Sequence, residues 1–166
     1  MESGGCPGST ESKEDQDLPT EPDQDCLSIM YTNAQSIVNK INELRTVAYD
    51  LKPDIILINE SWTNDKITKA YLHVKGYELS ARKDRTDTKD GRGGGLLVYN
   101  KCGMIVTEDQ SSSSNFNQAI TVSLETKSKP LLINLVYRSP NSSDDNTALF
   151  NDFIKKHNPQ PLRWVT

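Results

Sequence analysis

The most continuous apolar run in the chain is Ile55-Ile56-Leu57-Ile58, which breaks off at Asn59-Glu60-Ser61. A short β-branched run with no alternation suits a strand buried on both faces, and its polar residues then fall at the C-terminal edge of a sheet. Upstream, Leu27–Asn33 alternates as a first strand and stops at Asn33-Ala34-Gln35-Ser36. Ile37, Ile41, Leu44, Val47, Ala48 and Leu51 then recur at three- and four-residue intervals, the stripe of an amphipathic helix of about four turns. Ser36 is placed to cap that helix, and Pro53 closes it, because the residue before a proline avoids helical geometry. Strand, helix and buried strand together make a βαβ-like opening whose strands end in Asn33 and Glu60.

Beyond Trp62 the chain is polar through Lys69, with room for one short helix, and Tyr77–Arg82 reads as a short strand. Lys83–Arg92 is a charged loop. Gly93–Tyr99 returns to the sheet, and Met104–Thr107 is placed beside it across the turn Asn100–Gly103. Ala119–Glu125 alternates with Ile120, Val122 and Leu124 on one face, and Leu131–Tyr137 is strongly apolar. The short turn Thr126–Pro130 makes these two a hairpin. Ser139-Pro140-Asn141-Ser142 ends the sheet, and Leu149, Phe150, Phe153 and Ile154 outline a second amphipathic helix over Thr147–Lys156.

Composition sharpens the domain picture. Hydrophobic residues make up 34% of 166, low for a compact fold of that length, and residues 1–25 explain the deficit with eight acids, one base and no aromatic residue. They read as a disordered acidic tail ahead of one domain at 26–166. The tail contributes −7 to the chain's net −4, which leaves Cys26–Thr166 at +3. Cys6, Cys26 and Cys102 form no CxxC pair and predict free thiols without structural zinc. No signal-peptide core and no run of membrane-spanning length is present, so the expectation is an intracellular, soluble protein without a membrane partner.

Gly91-Arg92-Gly93-Gly94-Gly95 does not have the context of a phosphate loop, because a strand follows it where a helix would be required. It reads instead as a place where backbones approach closely, with Arg92 a candidate contact to a substrate phosphate. His73 and His157 lack metal-ligand spacing and read as surface residues, and no nucleophile elbow is present. The remaining polar set lies at strand ends: Asn33, Glu60, Tyr137, Arg138, and Asn141 just beyond. Glu60 alone could simply mark where a strand leaves the core. As a set, these residues supply the amide, carboxylate, phenol and guanidinium needed to hold a divalent cation against a phosphodiester.

The segments Asn33-Ala34-Gln35-Ser36-Ile37-Val38-Asn39-Lys40, Asp54–Trp62, Gly91–Leu96 and Val136-Tyr137-Arg138-Ser139-Pro140-Asn141 resemble, in that order, the endonuclease/exonuclease/phosphatase superfamily. The closest likeness is to the apurinic-type endonuclease domain of non-LTR retrotransposon polyproteins, over Leu27 to about Lys156. The resemblance implies an α/β fold, a four-layer α/β sandwich, with Mg²⁺- or Mn²⁺-dependent cleavage of DNA and a nuclear location. It assigns Asn33 to the neighbourhood of the metal, Glu60 to the metal and Tyr137 to the scissile phosphate; Arg138, Asn141 and Arg92 are expected beside the substrate phosphate from their places in the strand-end set and the glycine run.

The family continues with Gly-Asp-Phe-Asn and Ser-Asp-His motifs that this chain does not carry; after the last helix it reads His157-Asn158-Pro159-Gln160-Pro161 through Thr166. The expectation is therefore an incomplete sandwich, truncated at its C-terminal end, that binds metal weakly and is inactive as this chain. The alternative is a non-catalytic remnant that binds nucleic acid or a protein. A phosphatase acting on a small phosphoester within the same superfamily fits the motif wording less well.

Overall fold

The structure is a computed structural model that describes residues 26–84, 93–109, 116, 118–139 and 142–157. The segment 1–25, Arg92 and Asn141 lie outside the described residues. In chain order the elements are β1 (Ile29–Asn33), α1 (Ile41–Leu51), β2 (Ile55–Asn59), β3 (Tyr77–Lys83), β4 (Leu96–Lys101), β5 (Val106–Glu108), β6 (Ala119–Leu124), β7 (Leu131–Val136) and α2 (Asp144–His157). They form a mixed α/β architecture of two sheets, one in the order β1-β2-β4-β3 and one in the order β5-β6-β7.

β2 is buried along its whole length, as its unbroken apolar run requires. Ile56 and Ile58 turn to one side of the sheet, where they meet Leu97 and Tyr99 of β4 and the α1 stripe Ile41, Leu44 and Ala48. Ile55 and Leu57 turn to the other side and pack with Val98, Ile120, Val122 and Leu135 between the sheets. Each fully buried aliphatic side chain contributes about 1.5–3 kcal/mol, so these two layers carry most of the fold's hydrophobic stabilisation. Burial pushes the Tyr99 phenol well above its ordinary pKa, and its hydroxyl stays a donor, to the Leu72 carbonyl at 2.9 Å.

Several expectations change. The first helix begins at Ile41, not Ile37, and its N-cap position, Lys40, makes no side-chain cap bond. Ser36 cannot cap it. The amides of Ala34, Ser36 and Ile37 are taken up by the carbonyls of Asn59, Glu60 and Ser61 at 2.9–3.0 Å, which ties this segment to the exit of β2. Val47 and Leu51 of the predicted stripe are exposed, so the buried face of α1 is narrower than the periodicity suggests. At its other end α1 stops as expected: Lys52 is left-handed, its amide donates to the Ala48 carbonyl, and Pro53 follows.

Residues 63–75 form turns with no helix. β5 does not pair with β4 but with β6, in the other sheet, so the Cys102–Gly103 turn passes the chain between layers. The β6–β7 hairpin is antiparallel from Ala119↔Val136 to Leu124↔Leu131, as predicted. α2 starts three residues earlier than expected, and its Phe150 and Phe153 close on Phe116 with ring centroids 5.5 and 6.0 Å apart.

Candidate functional site

Among the three pairings of the four-stranded sheet only β1 with β2 is parallel, with Asn33 directly opposite Asn59. Their C-terminal ends therefore lie side by side, and both continue into loops of unusual backbone geometry. Gln35, Ser36, Glu60 and Trp62 all have positive φ, at 44°, 83°, 55° and 52°. A non-glycine residue in this region carries a strain of about 1–3 kcal/mol and keeps it only where the surroundings dictate the conformation.

Those surroundings are visible. Ser61 and Trp62 donate their amides to the carbonyls of Gly95 and Gly94 at 3.1 and 3.0 Å, while the Glu60 carbonyl accepts from Ser36. Gly95 sits at φ +85°, and a Cβ on it would lie 2.5 Å from Ser61 Oγ. This is the close backbone approach predicted for the glycine run, although the glycines precede the strand and do not belong to it. Beneath the turn, Ser61 and Thr63 share a hydroxyl hydrogen bond at 3.0 Å, and Thr63 donates to Asp84 at 2.6 Å. Asp84 also accepts from Arg82 Nε and Nη2, both at 2.9 Å, and Arg82 reaches on to the carbonyls of Ile67 and Asn64.

The Glu60 carboxylate is half-buried, and its Oε2 accepts from the Trp62 indole Nε1–H at 2.9 Å. Asn33 is exposed at the end of β1, in register with Asn59, the residue before Glu60. Tyr137 comes from the second sheet: its amide donates to the Gln118 carbonyl at 2.8 Å, and its half-buried ring packs against the layer between the sheets. Among the described residues two polar side chains link the sheets at this edge: Lys83 Nζ donates to the Ala119 carbonyl at 3.3 Å, and Asn59 makes a second link. Its Nδ2 donates to the Val136 carbonyl and to the Tyr31 hydroxyl, each at 3.0 Å, while its buried Oδ1 has no hydrogen-bond partner among the described residues.

Asn33, Glu60 and Tyr137 are thus each adjacent, in register or in sequence, to a residue of this link. Arg138 is directed elsewhere, with Nη2 donating to Thr147 Oγ1 of α2 at 3.0 Å. His73 is exposed, and His157 stacks on Phe153 at 4.2 Å and bonds the Phe153 carbonyl. Two contributors went unassigned in the sequence. Trp62 carried no signal beyond its nearness to Glu60, whereas Asn59 could have been singled out as a polar residue in register at the end of a strand buried on both faces.

The oxygen donors at this edge suit a hard cation, which takes one or two carboxylates and completes its shell with water and substrate oxygens. Glu60 Oε1 is the carboxylate oxygen left beside the bonded Oε2, and no group of three or more His, Cys, Asp or Glu side chains that could hold a metal occurs among the described residues. Glu60 Oε1 thus fits such an ion as one of its oxygen ligands.

No family model and no curated protein matches the chain in sequence. Solved structures share its fold. The endonuclease domain of TRAS1, a telomere-specific non-LTR retrotransposon, superposes with a TM-score of 0.55 at 16% identity, over 80% of this chain and 55% of that one. The AP endonuclease LMAP from Leishmania major gives 0.62 at 14% identity, over 78% and 48%. The 3′ phosphatase NExo (D146N) from Neisseria, bound to product DNA hairpin, gives 0.57 at 14%, over 81% and 54%. The chain spans about half the length of each. The fold is that of the endonuclease/exonuclease/phosphatase group, as the motifs led one to expect. Among the described residues no helix is long and apolar enough to cross a membrane.

Proposed function

We propose that this chain carries the front portion of a Mg²⁺-dependent DNA endonuclease of retrotransposon type, with Asn33, Glu60 and Tyr137 as its part of the active site. The observation that supports the reading is the strained edge where the parallel strands β1 and β2 end in Asn33 and Asn59-Glu60, with Val136, the residue before Tyr137, bonded there from the other sheet. The TRAS1 likeness supports the retrotransposon branch, and the DNA hairpin bound to the NExo phosphatase supports DNA as the substrate class.

When bound, the cation would polarise a phosphodiester oxygen and offset charge that develops during cleavage. Glu60 would hold it through a carboxylate oxygen, and the Asn33 amide would stand beside the same position. Tyr137 would donate its hydroxyl to a phosphate oxygen, an interaction that gains strength as negative charge builds there. Arg138, exposed and bonded to Thr147 of α2 through Nη2, would offer a phosphate its remaining N–H groups. With a single carboxylate among these residues, cation binding is expected to be weak without DNA and tighter with it.

The test is Mn²⁺ titration, following the free ion by electron paramagnetic resonance, with and without a short DNA duplex. Glu60→Ala is expected to lose binding, and DNA to tighten it in the unmodified chain. Equal binding by Glu60→Ala would remove Glu60 from the site and the reading with it.

A further inference from the structure

The turn at the end of β2 does more than expose Glu60. Because Glu60 and Trp62 are both left-handed while the buried Ser61 between them is tied to Gly95, the chain doubles back and returns the indole to the carboxylate two residues before it. The result is the 2.9 Å hydrogen bond from Trp62 Nε1–H to Glu60 Oε2. Each part of this reversal is held separately: the Glu60 carbonyl by the Ser36 amide, the Trp62 amide by the Gly94 carbonyl, and Ser61 from below by Thr63.

We infer that Trp62 is a positioning residue for the Glu60 carboxylate: it occupies Oε2, fixes the plane of the group, and leaves Oε1 to meet a divalent cation. This rests on the reading of Glu60 as a cation ligand. Three properties of the indole suit the task. It donates and cannot accept, so it offers the ion no competing ligand. It is uncharged, so the negative charge of Glu60 stays available, whereas a lysine or arginine in its place would compete with the ion for that charge. It is also rigid and half-buried, which limits the orientations the carboxylate can take. Hydrogen-bonding partners of metal-ligating side chains commonly set about 10–100-fold in metal affinity. A tryptophan that merely filled the loop would affect stability and leave cation affinity alone.

The experiment compares Mn²⁺ affinity in the full chain, in Trp62→Phe and in Glu60→Gln, with circular dichroism to establish that each is folded. Trp62→Phe is expected to bind about 10–100-fold more weakly, and Glu60→Gln to lose binding. If Glu60→Gln binds as tightly as the unmodified chain, the ligand reading fails and the role of Trp62 falls with it. If Glu60→Gln loses binding while a folded Trp62→Phe retains full affinity, the positioning role alone is overturned. A second measurement leaves Trp62 in place. In a Trp164→Phe background the single remaining indole ¹H–¹⁵N cross-peak is followed during Mg²⁺ titration, together with the Glu60 carboxylate carbon. The two signals are expected to move and saturate together; a stationary indole signal beside a moving carboxylate would overturn the inference.

Discussion

Asn59 Nδ2 donates to the Val136 carbonyl at 3.0 Å and so makes a polar contact between the two sheets, beside a layer of largely aliphatic side chains. Its position decides what it does. Asn59 precedes Glu60 and lies opposite Asn33, and Val136 precedes Tyr137, so this bond ties together the strand ends that carry the candidate site.

Replacing Asn59 with leucine removes the donor while keeping comparable bulk. Tyr31 is 58% exposed and its hydroxyl can turn to water, but the Val136 carbonyl loses a partner supplied from inside the fold. The expected cost is about 1–3 kcal/mol, read from urea denaturation. An unchanged midpoint would mean that the link contributes nothing to stability.

Gly95 and Gly76 offer a matched pair of substitutions. Both have positive φ, +85° and +84°, so alanine strains the backbone similarly at each. Around Gly76 nothing lies within 4 Å of an added Cβ, whereas at Gly95 it meets the buried Ser61 Oγ at 2.5 Å. Gly76→Ala should cost about 1 kcal/mol and Gly95→Ala clearly more, measured as two shifts in melting temperature. Equal shifts would show that the turn at Ser61 yields to the methyl group.

Asp54 gives the fold a defined acid response. Hydrogen bonds from Lys101 and from the Ser28 amide and hydroxyl hold its pKa at about 2, below the ordinary 3.8. A carboxylate depressed in this way contributes stability that is fully present above the unfolded value near 3.8 and is lost as pH falls toward 2. Lys101 is 40% exposed, so solvent screening reduces the contribution to about 1 kcal/mol. Asp54→Asn should lower stability by that amount at pH 7, and the difference from the unmodified chain should shrink between pH 4 and pH 2 in denaturation series.

β7 lies at an edge of its sheet and carries no charged residue from Leu131 to Val136, with Leu132 52% exposed. Lysine and proline are the usual guards of such edges. The chain should associate as its concentration rises, and Leu132→Lys should suppress this, as read by sedimentation or size-exclusion chromatography. Identical concentration dependence in both proteins would exclude the edge as the cause.

The parts of the fold legible in the sequence were those set by local pattern. The unbroken run Ile55–Ile58 suited a strand covered on both faces, as β2 is, and the alternation of Ile120, Val122 and Leu124 fixed the face of β6. Glu60 was marked as an edge residue by where that run stops. What stayed hidden depends on distant backbone. Ile37 keeps the helical spacing and is buried with the α1 stripe, yet its amide bonds the Ser61 carbonyl, and no periodicity can report a partner in another loop. The alignment of β5 with β6 was hidden for the same reason, since the three residues Val106–Glu108 are too short to choose a neighbour by pattern. At the site, sequence could suggest which residues matter but not that Asn59 joins them or that Trp62 holds Glu60.

The bonds from Ser61 and Trp62 to Gly95 and Gly94 also set an order of events during folding. These partners are far apart in the chain, with the turns 63–75 and β3 between them, so the reversal at Glu60 cannot be secured until β4 has docked beside β2. Contacts of large sequence separation form late, because the entropy of closing the intervening loop must be overcome first. The candidate site would then be absent from early folding species that already contain α1. In pulse-labelled hydrogen exchange the amides of Ser61 and Trp62 would gain protection together with β4 and after the helix, so the candidate site forms only once β4 has joined the sheet.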